Sequence, residues 1–212
     1  MLTLFYTPGA CSMIPHIALE ECGAVFERRP VDFSKGDQLK PEYLAINPKG
    51  RVPALRTDRG VLTEIPAILG FLARSFPEAR LAPWEDAYAF ADLQAFQMYI
   101  ATTIHVLFRQ ISRPESFADG EPAKQALKAK VPEMSNRYFQ LIEDKLAAGG
   151  PYVHGDSYTS SDIYLFVFGS YLRIGDRGDL ACLPHIQRHR TRVRARPAVE
   201  RALIAEGLAQ TW

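Results

Sequence analysis

Cysteine is scarce in this chain. Three stand among 212 residues, at Cys11, Cys22 and Cys182. They form an odd set without metal-like spacing, which argues against a disulfide framework or a metal site and for free thiols in a reducing cytoplasm. The fourth position counted from Cys11 is Ile14, so that site has no Cys-x-x-Cys pair and no resolving thiol for intramolecular disulfide cycling. Long apolar runs are also missing, which leaves no bilayer-spanning segment. The start, Met1-Leu2-Thr3-Leu4-Phe5-Tyr6, has neither a basic lead nor a long apolar core, and it is expected to be a strand rather than a signal peptide. An excess of charge of either sign is lacking too. The formal net charge is +1, so there is no global attraction to nucleic acid or an anionic membrane. No internal repeat or low-complexity segment interrupts the chain.

What is present suits a soluble packed protein, with 47% hydrophobic and 23% charged residues. The first third alternates strand and helix signals. Leu2 to Tyr6 reads as a strand ending at Pro8-Gly9. Ile14, Ile17, Ala18 and Cys22 recur at helical spacing, and Gly23 stands where a C-terminal cap belongs. Phe26 to Phe33 predicts a second strand with Val31 and Phe33 on one face. Pro41 to Ile46 predicts a short helix stopped by Asn47-Pro48. Val52-Pro53-Ala54-Leu55 starts a third strand, Arg59-Gly60 turns into a fourth at Val61-Leu62, and Glu64 to Ala73 is helical. The order β-α-β-α-β-β-α predicts a mixed four-stranded sheet covered by helices, an α/β domain over residues 1–75.

Residues 76–84 lose periodicity around Pro77 and Pro83 and are expected to be a linker. The remainder, 85–212, reads as all-helical. Leu93, Phe96, Ile100, Ile104, Leu107 and Ile111 form one apolar stripe. Leu127, Val131, Met134, Tyr138, Leu141 and Ile142 form a second. Ile163 to Ile174 is apolar nearly all round and belongs at the centre of a bundle. Thr159 and Asp162 predict a reciprocal cap at its start, with Tyr158 stapled to Ile163, a cap contributing about 1 kcal/mol. The run Arg188-His189-Arg190-Thr191-Arg192-Val193-Arg194-Ala195-Arg196 has no interleaved aromatic residues. It reads as a solvated helix surface paired with acidic neighbours rather than a nucleic-acid site.

The candidate chemistry gathers in Tyr6-Thr7-Pro8-Gly9-Ala10-Cys11-Ser12-Met13-Ile14-Pro15-His16. A cysteine between a strand-ending turn and a helix start meets unpaired amides and the positive end of a helix dipole, both of which favour the thiolate. Pro15 in the first helical turn costs no internal bond. The competing reading of Cys11 is a buried small hydrophobe. Ser12 reads as an N-cap, Tyr6 as a core or interface aromatic, and Cys22 and Cys182 as structural. His105, within a long helix, reads as structural or solvated unless the fold brings it to Cys11.

These pieces together resemble the glutathione S-transferases. The resemblance runs through Tyr6 to Ser12 with Pro15 to Leu19, then Ala45-Ile46-Asn47-Pro48-Lys49-Gly50-Arg51-Val52-Pro53-Ala54-Leu55, Leu62-Thr63-Glu64 with Ala67-Ile68, and Gly155 to Asp162. The cysteine-centred first loop is most similar to the bacterial beta class. The resemblance implies a thioredoxin-like N-terminal domain, an all-helical C-terminal domain, a homodimer and glutathione as cosubstrate without a metal. It implies that Cys11 lies at the glutathione sulfur and forms a mixed disulfide, and that His105 points toward it. It implies a cis bond between Val52 and Pro53 that presents the Val52 backbone to the tripeptide. Glu64 matches the residue holding the γ-glutamyl end, and Lys35 one near the glycyl carboxylate.

The sequence departs from the pattern at Ile65 and around His105, where Met98, Thr103 and Val106 stand in surroundings that are usually polar or charged. Ile65 stands where the family usually has a serine or another small residue, and Pro66 follows it. Thr103 stands where an acidic residue from the other subunit would contact the glutathione amino group. A lost charge-assisted bond weakens binding by about 1.5–3 kcal/mol, so weaker glutathione binding is expected. The resemblance implies an enzyme that conjugates glutathione to small apolar electrophiles in cytoplasmic detoxification, with thiol transfer as a related activity. The alternative is a transferase-like binding protein with weak or no turnover.

Overall fold

The computed structural model describes Met1–Trp212. The chain divides into two compact units, one of Met1–Pro83 with Arg194–Trp212 and one of Trp84–Val193.

The first unit is built from β1 (Leu2–Tyr6), α1 (Met13–Glu21), β2 (Phe26–Pro30), α2 (Pro41–Leu44), β3 (Ala54–Thr57), β4 (Gly60–Thr63) and α3 (Ile65–Ser75), joined by α9 (Pro197–Ala205). The sheet order is β2-β1-β3-β4. β1 runs parallel to β2 and antiparallel to β3, and β3 and β4 form a hairpin. This is the mixed sheet expected from the element order. β1 is central and covered on both faces. Leu4, opposite Leu55, is fully buried on one side, while Phe5 on the other joins Val31, Tyr43, Val52 and Ala54.

Two strand ends differ from expectation. β2 stops at Pro30 instead of reaching Phe33, because Asp32 starts a 3-10 turn over Phe33–Lys35 and its Oδ1 accepts the Ser34 N–H at 2.9 Å. β3 begins at Ala54, after Pro53, which has no N–H for a ladder. Helix α9 packs along α1, burying Val199, Ala202 and Leu203 completely. Arg196 meets Glu21 through two N–H donors at 2.6 and 2.9 Å, and Arg201 meets Glu20 at 2.7 Å.

The second unit holds α4 (Ala87–Tyr99), a π-helical segment over Ile100–Ile104, α5 (His105–Ser112), α6 (Glu121–Gly149), α7 (Ser160–Tyr171) and α8 (Pro184–Arg194). Helix α7 is the buried centre that its all-round apolar composition predicts. Tyr164, Phe166 and Phe168 are among its fully buried side chains, each worth about 1.5–3 kcal/mol. The expected capping box is present at Thr159 and Asp162. Asp162 does more than cap. It accepts the Thr159 and Val153 N–H groups at 2.7 and 2.8 Å and meets His189 Nε2 of α8 at 2.8 Å.

Helix α6 buries Val131 and Ile142 of the expected stripe, together with residues outside it. Ser135, Phe139 and Leu146 are inside, while Leu141 is 59% exposed. Its Glu143 carboxylate is buried and accepts the first amides of α8, from His185 at 2.7 Å and Ile186 at 2.9 Å. The arginine run forms α8 and its sequel, with Arg188 and Arg192 facing solvent and Ile186, His189 and Val193 inside.

Candidate active site

Cys11 lies in the turn between β1 and α1, half-buried. The turn closes on itself. Thr7 O accepts from Ala10 N at 3.0 Å, and Ala10 O accepts from Met13 N at 3.0 Å. Ser12 occupies the N-cap position of α1, but its hydroxyl makes no capping bond. It instead accepts the Thr7 N–H at 3.1 Å and donates to Thr7 O at 3.2 Å, locking the two ends of the turn together. The expected cap is therefore a loop clasp. Gly9 supplies the φ of +71° that the turn needs, a region other residues rarely adopt.

Cys11 stands just before the N-terminus of α1, whose dipole favours the thiolate. Its Sγ is 3.5 Å from the carbonyl oxygen of Val52, which accepts from the thiol and favours the protonated form. The Val52–Pro53 bond is cis, as the resemblance implied. Cys22, by contrast, has its thiol pushed up to about 12 by burial and by neighbouring Glu21, which makes it inert. The exposed Cys182 has its thiol held up by the Asp179 carboxylate, 3.2 Å away.

Glu64 is exposed, sits at φ +68° just before α3, and pairs with Lys49 Nζ at 2.5 Å. Ile65, the first residue of α3, turns its side chain into the core at 5% exposure. Pro66 has no N–H, so the first turn of α3 offers the Ile65 and Ala67 amides, while the Ile68 amide is bonded to Glu64 O at 3.0 Å. Lys35 is exposed and pairs with Asp32 at 3.3 Å. Cys11 and Val52 are thus in contact, whereas Lys35 and Glu64 are each engaged by other side chains.

His105 and Thr103 belong to the second unit. His105 is the first residue of α5, directly after the π-helical segment that contains Thr103. Its ring meets Phe168 of α7 edge-on, with centroids 5.1 Å apart. A π segment widens the backbone by one residue and re-aims the side chains after it, a feature frequent at functional sites.

The same unit contains a serine–histidine–aspartate chain. His154 Nδ1 is 2.9 Å from Asp92 Oδ2, and its Nε2 is 3.0 Å from Ser161 Oγ. Ser161 is fully buried, so no substrate reaches it, and the chain ties α4 to the start of α7. Sequence reasoning missed a different pair, His16 and Glu206, whose side chains are fully buried and 2.7 Å apart beneath the Cys11 turn. They are separated by 190 residues, and no local pattern signals them.

A thioredoxin-like sheet domain with a cysteine after β1, accompanied by a helical unit, defines a known class of two-part protein. The family model described as the glutathione S-transferase N-terminal domain matches residues 9–75, and that of the glutathione S-transferase C-terminal domain matches residues 107–203. The chain belongs to the glutathione S-transferase family. It is 36% identical to glutathione S-transferase GstA of Escherichia coli O157:H7, over 98% of this chain and all of that protein. Among solved structures, a glutathione transferase homologue from Sulfitobacter with bound glutathione is 38% identical, with a TM-score of 0.91 over 98% of this chain and 99% of that one. A bacterial beta class glutathione S-transferase of Sphingomonas chungbukensis is 33% identical, with a TM-score of 0.83 over 97% and 99%.

Proposed function

We propose that this protein is a glutathione S-transferase that works through Cys11. The observation that carries the reading is the position of Cys11 between β1 and the N-terminus of α1, with its Sγ 3.5 Å from Val52 O. Glutathione binds with its cysteinyl backbone on Val52 beside the cis Pro53, its γ-glutamyl end toward Glu64 and Ile65, and its glycyl end toward Lys35. His105 is the second catalytic residue, and Thr103 contributes to the glutathione site. In conjugation, the glutathione thiolate attacks an apolar electrophile and displaces its leaving group. In thiol transfer, the Cys11 thiolate attacks a disulfide of glutathione. A mixed disulfide forms and one glutathione leaves as the thiolate. The glutathione-binding domain is residues 1–75 and the helical domain residues 85–212, of which Arg194–Trp212 packs within the first unit, in a homodimer that acts in the cytoplasm in detoxification.

The Ile65-Pro66 start of α3 supports weaker glutathione binding than a serine at that place gives. A transferase-like binding protein with little turnover is the second reading it favours. One comparison separates the two: conjugation of glutathione to an aryl halide by the wild type and by Cys11→Ala, with mass measurement after exposure to oxidised glutathione. The wild type is expected to conjugate and to gain one glutathione on Cys11. Cys11→Ala is expected to lose the added mass and about tenfold in rate, equivalent to about 1.4 kcal/mol of barrier. A wild type that neither conjugates nor binds glutathione overturns the enzyme reading.

A further inference from the structure

Glu206 lies one residue past α9, beyond the residues 107–203 matched by the C-terminal family model. Its side chain and that of His16 are both 0% exposed. Glu206 Oε1 is 2.7 Å from His16 Nδ1, and Oε2 accepts the Gly9 N–H at 3.0 Å. A carboxylate only accepts, so the pattern puts the imidazole proton on Nδ1. His16 Nε2 is buried without a partner, and a second proton there is an unsatisfied donor. A buried anion is costly unless well bonded, so its retention under this turn calls for a reason.

The segment it holds is the one that carries Cys11. Gly9, two residues before the cysteine, is fixed by Glu206. Ser12, one residue after it, is fixed by its own clasp on Thr7. His16, one turn further along α1, ties the helix to the same carboxylate. We propose that Glu206 is a positioning residue for Cys11, setting the turn so that the thiol sits at the N-terminus of α1. The proposal rests on the reading of Cys11 as the reactive thiol. The other titratable or charged groups facing the turn are His16 of α1, itself flanked by the Tyr6 ring of β1, and Arg28 of β2, which lies over that ring at 5.9 Å.

Two variants separate anchoring from charge. Glu206→Gln removes the charge but keeps an oxygen for the Gly9 N–H, and its amide donates to His16 in the other tautomer. Glu206→Ala removes both. The experiment alkylates each protein with iodoacetamide across a pH range without glutathione and follows Cys11 by peptide-resolved mass spectrometry. In this reaction the thiolate sulfur forms a bond to carbon and iodide leaves. The midpoint for Glu206→Gln is expected below that of the wild type, because a negative charge near the thiolate is gone. The midpoint for Glu206→Ala is expected above that of Glu206→Gln by ~0.5 unit or more, because the thiol has left its place at the helix end. Equal midpoints in the two folded variants overturn the proposal. If circular dichroism shows Glu206→Ala unfolded, Glu206→Asp decides, since it keeps the charge but retracts it by one methylene. Its midpoint is expected above that of the wild type, and an unchanged midpoint overturns the proposal. Full conjugation by Cys11→Ala would sink the functional reading alone, because the alkylation comparison uses no glutathione.

Discussion

In the proposed glutathione site, Ile65 serves packing at the expense of recognition. Its chain is 5% exposed in the core of the first unit, where a serine would offer a hydroxyl to a γ-glutamyl carboxylate. Ile65→Ser is expected to tighten glutathione binding about tenfold through one added bond to a charged group. It is also expected to lower stability by about 2–5 kcal/mol, as buried truncations do. Calorimetric titration and urea unfolding of the same variant measure both. Unchanged affinity would show that the missing hydroxyl is not what limits binding. At this scale the sequence was legible where chemistry depends on neighbours in the chain. Cys11 could be singled out because a strand end, a turn and a helix start follow one another within a dozen residues. The clasp by Ser12 was misread as a cap, because a hydroxyl at that position has two partners within reach and only the folded turn selects between them. Glu206 was illegible, because its partners Gly9 and His16 lie 197 and 190 residues away.

The junction between α4 and α7 is where pH enters. Burial lowers the pKa of His154 below its ordinary 6.5, against the opposing pull of Asp92. Burial raises the Asp92 carboxyl, but Lys145 and His154 outweigh it and hold the carboxyl below its ordinary 3.8. The folded protein therefore binds a proton at His154 less readily than the unfolded chain does. The stability tied to His154 is present above about pH 6.5 and is lost as the pH falls below it, and that tied to Asp92 is lost only near and below 3.8. Urea unfolding followed from neutral pH down to about pH 5 should show a decline that flattens in His154→Gln. An identical slope in the variant would place the proton uptake elsewhere. Elements themselves were well announced where composition was extreme, as in α7, whose apolar residues on every side admit only a central position. They were poorly announced in α6, a helix of 29 residues. There Val131 and Ile142 of the stripe are buried, but Leu141 is turned outward and Phe139 is hidden, because neighbouring apolar positions fit the same repeat and only packing selects between them. The π segment before His105 has no sequence signature beyond its ordinary apolar and threonine residues.

At the scale of the molecule, the first unit is discontinuous. Its α/β part and residues 194–212 form one body, with α9 lying along α1. A fragment of residues 1–83 alone leaves bare the face of α1 that α9 covers and leaves Gly9 and His16 without Glu206. It is expected to show weak strand and helix signals by circular dichroism and a broad thermal transition. Adding a peptide of residues 194–212 is expected to sharpen that transition. A fragment that melts as cooperatively alone as with the peptide would show α9 to be dispensable. The order of synthesis gives this arrangement a temporal meaning. The Cys11 turn leaves the ribosome before the second unit does, but the carboxylate that steadies it is made only after the 110 residues of that unit. At ordinary elongation rates that is about 6–20 s. During that interval the thiol exists on an unfinished platform, and its environment becomes the mature one only once Glu206 has been made.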